Sequence, residues 1–310
     1  MKYSIILPVY NEAQNIFQIY KRTKNVLRKL RNTHEFIFIN DGSRDTSFIQ
    51  LQKLHRQDKT VKIINFSRNF GHQTAVTAGL QFAQGKYVAI LDADLQDPPE
   101  VLPEFFNKLE EGYDTVYAIR RKRKEHIVKR FLYSTFYRLL KFISTTDIPL
   151  DSGDFCVMNS RVVRAINSLP ERNRFIRGIR SWVGFKSIGI EYERAARYAG
   201  NSKYTYTKLM KLAFDGLFSF SYVPLQLMFA FGLISLAFSF IGILIVFYLR
   251  FFTNTLVPGF ATTIILVLFI GGLQLFSFGI VGEYVRRIYD EIKQRPQYII
   301  ESLVGIKYKH

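Results

Sequence analysis

Through the first 120 residues, short apolar runs alternate with longer stretches in which apolar residues recur three and four positions apart. The runs KYSIILPVY, EFIFIN, VKIINFS, KYVAILD and YDTVYAI read as strands, and the unbroken apolarity of 87–91 is what a strand covered on both faces requires. Helical spacing fills 11–30, 46–57, 72–84 and 99–111. Asp45-Thr46-Ser47 offers a cap for the second of these helices, and Pro98-Pro99-Glu100 suits the first turn of the fourth. Strand and helix in strict alternation predict an α/β fold with a mainly parallel sheet and right-handed crossovers.

The pattern then changes solvent. After Arg120 it blurs into a basic, aromatic segment, then SGDFCVMNS, then an arginine-rich region to Arg180. Residues 204–222 read as an amphipathic helix at a membrane surface, with Lys208, Lys211 and Asp215 set among apolar residues. From Gly216 to Gly282 the only charged residue is Arg250. Two apolar stretches, 223–249 and 256–282, each exceed the ~20 residues a helix needs to cross a bilayer, and FFTNTLVPG joins them. They predict a transmembrane hairpin over 223–282; the competing reading is a buried helical pair. Four segments follow: a catalytic-type domain over 1–203, the interface helix 204–222, the hairpin, and a tail over 283–310. MKYSIILPVY runs straight into a strand without a charged n-region, so no signal peptide is expected.

Charge adds orientation. The formal net charge is +18, and basic residues flank the hairpin on both outer sides: Lys203, Lys208 and Lys211 before it, Arg286, Arg287, Lys293 and Arg295 after it. By the positive-inside rule both flanks are cytoplasmic, which makes the protein a multi-pass protein of the cytoplasmic membrane with both termini inside. The run RRKRKEHIVKR, 120–130, and the cluster Arg172–Arg180 fit lipid headgroups better than nucleic acid, given aromatic neighbours and a membrane anchor in the same chain. A solvated basic face is the plainer alternative. Cys156 is the single cysteine, which excludes an intrachain disulfide and a cysteine-rich zinc site.

The candidate chemistry lies where strands leave the core. LDADLQDPPE places Asp92, Asp94 and Gln96 at the end of the fourth strand, an edge where α/β sheets bind ligands. Carboxylates two residues apart suit Mg²⁺ or Mn²⁺ shared with a diphosphate. An EF-hand is excluded because Asp97 stands where its glycine must be and Pro103 where its glutamate must be. Asn40-Asp41-Gly42-Ser43 and Pro8-Val9-Tyr10-Asn11-Glu12 end two more strands on the same edge. Each also reads as a simple turn or helix cap. Neither a dinucleotide fingerprint nor a P-loop occurs. His72, the histidine nearest this edge, is expected to be a capping or solvated residue.

ILPVYNE, INDGSRDTS, NFSRNFGHQTAVTAG, LDADLQDPPE, SGDFCVMNSRVV, RFIRGIRSWVGF and GEYVRRIYDEIKQRPQYI, in that order, resemble a family 2 glycosyltransferase. More narrowly they resemble its polyprenyl-phosphate branch, the dolichyl-phosphate mannose synthase relatives and the bactoprenol glucosyltransferases. The resemblance implies a GT-A, Rossmann-like fold and inverting transfer of a sugar from a nucleotide donor, UDP-glucose or UDP-N-acetylglucosamine first, to undecaprenyl or another polyprenyl phosphate for cell-envelope glycan modification. It implies that Pro8, Tyr10, Glu12 and Asp41 line the nucleoside pocket and that Asp92, Asp94 and Gln96 surround Mg²⁺ or Mn²⁺. Asp154 matches a carboxylate near the reacting centre, Arg120, Arg130 and Ser134 match phosphate contacts, and Arg197, Ser202 and Lys203 fall in a segment that covers the site. Asp94, Asp154 and Arg197 are the catalytic candidates. His72-Gln73 and Asn201 depart from the residues common in relatives.

The implied partners are a nucleotide sugar, a polyprenyl phosphate, membrane lipids and, through the membrane helices, other copies of the chain; nucleic acid is not among them. A phosphate monoester is mostly ionised near neutral pH, with a second pKa of about 6, so transfer to it can dispense with a strong base. Asp154 is therefore assigned mainly to positioning or electrostatics, with a base role left open. Two rivals remain. A processive polysaccharide synthase would carry Q-x-x-R-W, but Trp182 follows GIRS. A non-catalytic membrane partner would have no need of the Asp92, Asp94 and Gln96 set.

Overall fold

The computed structural model describes residues 1–121, 152–172, 174–193, 223–248, 251–252 and 259–306. They fall into two compact units, one formed by Met1–Leu212 together with Arg295–His310, the other by Ala213–Gln294. The first is built on strands β1 (Tyr3–Val9), β2 (His34–Asn40), β3 (Val61–Phe66), β4 (Tyr87–Ile90), β5 (Thr115–Arg121), β6 (Ser152–Asn159), β7 (Ser187–Glu193) and β8 (Ile300–Val304). Among the described residues they form one sheet in the order β7-β5-β6-β4-β1-β2-β3-β8. Its helices are α1 (Ala13–Lys29), α2 (Ser47–Gln57), α3 (His72–Phe82), α4 (Leu102–Glu110, entered through a 3₁₀ turn at Pro99–Val101), α5 (Ser160–Ser168) and α6 (Ile176–Trp182).

Side-chain alternation along the strands sorts these helices into two layers. Ile5, Leu7, Phe36, Phe38, Val61 and Ile63 point into one core with Ile16, Ile19 and Leu27 of α1, Leu51 and Leu54 of α2, and Phe105 and Phe106 of α4. The apolar positions of α1 repeat over Ile16, Ile19, Tyr20, Thr23, Val26 and Leu27, all buried, so its helical period is set by this face. The opposite strand face is covered by α3, α5 and α6. Gly79 lets α3 lie close: a Cβ there would meet the Ile6 side chain at 2.4 Å. Each large apolar side chain so buried contributes about 1.5–3 kcal/mol.

The five strands and four helices expected in the first 120 residues are present, and β1 pairs in parallel with β2 and β4, as β2 does with β3. The sheet departs from a simple doubly wound pattern in one respect. SGDFCVMNS forms β6, which enters antiparallel between β4 and β5. Apolar content marks a buried strand but carries no direction, so this insertion was invisible in the pattern. It brings Asp154 to the β4 edge, because Ile90 pairs with Cys156 two residues away.

The C-terminus differs more. Within the stretch 283–310, expected as a tail, α8 (Phe260–Ile292) runs through the first ten residues, and β8 pairs antiparallel with β3 in the sheet of the first unit. The second unit contains α7 (Val223–Tyr248) and α8, which touch each other. Leu225–Gly242 is the one stretch among the described residues that is long and apolar enough to cross a membrane by length and composition. Large apolar side chains stand exposed along both helices, Phe229 at 70% and Leu275 at 73%. The predicted interface helix 204–222 lies outside the described residues.

Candidate active site

At the carboxyl ends of β1, β2 and β3, three loops are laced together by hydrogen bonds. Asn11, at φ +53°, receives the Arg44 N–H on its Oδ1 at 2.8 Å, and its own N–H donates to Ser43 Oγ at 3.0 Å. The Glu12 N–H donates to Ser47 Oγ at 3.0 Å and the Ala13 N–H to Asp45 Oδ2 at 3.2 Å. Asp45 Oδ1 accepts from the Ser47 N–H at 2.9 Å. The cap expected for α2 therefore serves the start of α1 as well, where a carboxylate is stabilised by the orphan N–H groups of both helices. Those bonds outweigh burial and hold the Asp45 carboxyl below its ordinary range.

Asp41 fastens the third loop. Its carboxylate accepts from the Phe70 N–H at 2.7 Å, the Gly71 N–H at 3.0 Å and Asn69 Nδ2 at 2.9 Å. Burial pushes this carboxyl up, and the Phe70 and Gly71 N–H groups pull it back in part. Gly42, at φ +62°, lies so close to the Arg68–Asn69 backbone that a Cβ would sit 2.3 Å from the Arg68 carbonyl carbon. Only glycine fits both that conformation and that contact.

Across the edge, charge is crowded. Arg177 of α6 grips Asp154 with both ends of its fork, Nε to Oδ1 at 2.7 Å and a terminal nitrogen to Oδ2 at 3.0 Å. His72 Nε2 lies 3.3 Å from Asp154 and 3.7 Å from Asp92. Gln73 Nε2 reaches Asp154 at 3.4 Å while its Oε1 accepts the Ile176 N–H at 2.9 Å, tying α3 to α6. Burial would raise Asp154, but the Arg177 guanidinium and His72 hold it well below the usual carboxylate range. Burial likewise opposes a charged His72, yet Asp154 and Asp92 outweigh it and push the imidazole up to about 9. Asp92 is raised to about 6, by burial and then by Asp97, Asp154 and Asp94, with His72 pulling back.

Asp94 is buried, and its Oδ1 accepts the Gln96 N–H at 3.1 Å, closing a tight corner. Leu95 between them sits at φ +62°, a left-handed conformation costly for a residue with a Cβ, and its side chain is buried. The packing of Leu95 thus holds the Asp92-x-Asp94-x-Gln96 corner in a shape the backbone alone would avoid. Asp97 accepts the Tyr192 hydroxyl proton. No three His, Cys, Asp or Glu side chains among the described residues form a closed cage for a metal ion.

The structure therefore brings Asp92, Asp94, Gln96 and Asp154 to one edge, beside Tyr10, Glu12 and Asp41; Pro8 is buried within β1, opposite Ile39. Arg120 is the next-to-last residue of β5, in register with Tyr192, and its side chain lies outside what is described, as do Arg130, Ser134, Arg197, Ser202 and Lys203. Two expectations are corrected. His72 is not the cap, which is Gly71, but the first residue of α3, a half-buried side chain set between Asp92 and Asp154. The arginine cluster does not present a common membrane surface: Arg174 is buried and donates to the Leu169 and Glu171 carbonyls, Arg180 is buried over the Tyr117 ring at 5.1 Å, and Arg177 holds Asp154. Gln73 and Arg177 were missed because their roles depend on β6 lying against β4. The departure of His72-Gln73 from its relatives was the available signal.

A three-layer α/β unit with acidic side chains gathered where its parallel strands end has a GT-A-like fold, and those carboxyl ends are where open α/β sheets bind ligands. Residues 4–166 match the model of glycosyl transferase family 2. The uncharacterized glycosyltransferase YkcC of Bacillus subtilis is 45% identical over 310 residues, which is 100% of this chain and 96% of that protein. The SfII prophage-derived bactoprenol glucosyl transferase of Shigella flexneri is 41% identical over 304 residues, 97% of this chain and 98% of that one. A prophage bactoprenol glucosyl transferase homolog of Escherichia coli K12 is 40% identical over 305 residues, 98% and 99% of the two chains. The chain belongs to glycosyl transferase family 2, in the branch that holds the polyprenyl-phosphate enzymes, and it is a glycosyltransferase. The family match ends at residue 166, whereas these relatives continue through α7, α8 and β8.

Proposed function

We propose that the protein transfers a hexose, glucose first and N-acetylglucosamine second, from a UDP donor to undecaprenyl or a related polyprenyl phosphate, with inversion at the anomeric carbon. The observation that carries this reading is the end-to-end match to bactoprenol glucosyl transferases, apolar helices included. In the reaction an acceptor phosphate oxygen attacks the anomeric carbon from the face opposite the leaving UDP. The new C–O bond forms as the bond to the diphosphate breaks, giving a β-linked lipid phosphate sugar.

Tyr10 and Glu12, on loops laced to the Asp41 clamp, would line the nucleoside side with little room to shift. Asp92 and Asp94 suit Mg²⁺ or Mn²⁺: two carboxylates rather than a closed cage is what an ion sharing its shell with water and a diphosphate requires. The three acids that raise Asp92 mark where added positive charge would be most stabilised. Bound there, the ion would supply charge neutralisation for the departing diphosphate. Asp154, held far down by Arg177, is a poor proton acceptor near neutral pH, and an ionised acceptor needs none. Its role is to orient His72, Gln73 and Arg177 around the reacting centre. Arg120, Arg130, Ser134, Arg197, Ser202 and Lys203 are assigned to phosphates and to covering the site.

Topology supports the membrane half of the reading. Because β8 pairs with β3, the chain between the two parts of the first unit must leave and return on one side of any bilayer, which requires an even number of crossings. The lengths of α7 and α8, about 39 Å and 50 Å at 1.5 Å per residue, suffice for two crossings of a core about 30 Å thick. A polyprenyl chain leaves lipid only at about 0.8 kcal/mol per CH₂, so the enzyme must come to its acceptor.

Membranes containing the protein should convert labelled UDP-glucose and undecaprenyl phosphate into a mild-acid-labile, organic-extractable product, with UDP-N-acetylglucosamine as the second donor tested. Label appearing only in polymer or protein would overturn the acceptor assignment. A cysteine placed at Thr253 should be labelled from outside intact cells; protection at Thr253 with labelling of the C-terminus would reverse the orientation.

A further inference from the structure

The chain re-enters the first unit at Arg295 and makes its first contacts around the end of β3. Gln297 Nε2 donates to the Glu171 carbonyl at 2.8 Å, on the segment leading into α6 and Arg177. Tyr298 stacks on Phe66 with ring centroids 4.9 Å apart, and its hydroxyl donates to Gln81 Oε1 on α3. The Ser67 N–H donates to the Ile299 carbonyl at 3.1 Å, and Asn65 Nδ2 to Glu301 Oε2 at 2.8 Å. Phe66 in turn meets Phe70 edge to face at 5.7 Å. Four residues of tail thus touch the end of β3, the last turn of α3 and the approach to α6. Between them these elements carry the Phe70 and Gly71 N–H groups on Asp41, and His72, Gln73 and Arg177 around Asp154.

We propose that Tyr298 is a positioning residue for the donor site, and that residues 297–301 form a clamp setting the β3–α3 loop and α6 in register with each other. A strand that merely covered the exposed edge of β3 would need only the main-chain pairing of β8. Tyr298 lies before that strand, and its ring meets the last residue of β3, where the site loop begins. The clamp also starts immediately after the second unit, so the return of the chain and the shape of the site are set by the same few residues. This inference rests on the reading of the edge as a UDP-sugar site.

The test compares Tyr298→Ala and Tyr298→Phe in the full-length protein in detergent. Alanine removes the stacked ring; phenylalanine keeps it and loses only the bond to Gln81. Amide exchange at Phe70 and Gly71 should quicken on the order of tenfold in the alanine variant while the β1 and β2 amides keep their protection. The Kd for UDP should rise about tenfold, the KM for undecaprenyl phosphate should stay within about twofold, and phenylalanine should restore most of both losses. Unchanged Phe70 and Gly71 exchange, or equal loosening of β1 and β2, would overturn the clamp. Should the alanine variant fail to fold, Tyr298→Leu, which keeps apolar cover without a stacked ring, is subject to the same criteria. Wild-type protein that binds no UDP, with or without Mn²⁺, would refute the donor reading instead, and the exchange result would still decide the clamp.

Discussion

The two sides of the sheet edge are built on opposite principles. Over β1, β2 and β3, polar groups are spent on one another: Asn11, Ser43, Asp45, Ser47 and Asp41 lace three loops, and the acid nearest the centre is gripped by N–H donors. Over β4 and β6, four carboxylates share a small space with one histidine and one arginine, and Asp92 is raised to about 6 by its neighbours. The first side is preorganised by its own bonds, so the proposed donor would be held there without rearrangement. The second gathers unbalanced charge that a ligand or ion would relieve, which is why the proposed chemistry is assigned there.

From that contrast, substitutions should separate stability from activity according to side. The largest effect is expected at Asp94. Asp94→Asn keeps an acceptor for the Gln96 N–H, so the melting temperature should hold within about 2 °C while transfer falls on the order of 100-fold or more. EDTA should abolish wild-type transfer and Mg²⁺ or Mn²⁺ restore it. Asp41→Asn probes the other side: it removes the charge from three hydrogen bonds and turns an amide toward N–H donors. A loss of about 2 kcal/mol in unfolding free energy is expected, read by denaturant titration. A stable Asp41→Asn variant would erase the distinction.

Arg177→Met sits between the two. It leaves Asp154 buried without its strongest partner, so the carboxyl rises from its depressed position. Transfer should fall roughly tenfold. The deficit should deepen as pH is lowered, because a raised carboxyl protonates at a higher pH than the wild-type one; a pH-independent deficit would assign Arg177 to substrate contact alone.

The smallest effect serves as a control remote from both sides. Asp58 accepts from Lys24 at 2.7 Å and the Tyr20 hydroxyl at 2.6 Å, and these bonds with Thr60 overcome burial to hold it well below its ordinary 3.8. A carboxyl depressed on folding stabilises above its unfolded pKa and loses that contribution as pH falls toward its folded one. Asp58→Asn should therefore cost about 1 kcal/mol at pH 7, and the difference from wild type should shrink steadily below about pH 4, with no change in transfer.

Much of this was legible in the chain. Unbroken apolar runs and helical spacing locate β1 to β5 and α1 to α4, because burial on one or both faces leaves a period that one dimension can carry. The Asp92-x-Asp94-x-Gln96 corner was visible for a similar reason, as charge at the end of an apolar strand. Direction and adjacency were not legible. That β6 runs antiparallel between β4 and β5, so that Asp154 meets His72 and Arg177, depends on which backbone edges were free when the sheet closed. The same holds for the tail: IESLV is too short and too mixed to announce a strand, and only the open edge of β3 makes it one. Sequence by itself determined which segments are buried, which are apolar enough for lipid and where acids leave the core. Tertiary structure alone decided that a histidine, a glutamine and an arginine from two helices share one aspartate, and that IESLV joins the sheet beside β3. Such contacts are set by distances between residues up to 236 positions apart, and no local pattern of polarity encodes them.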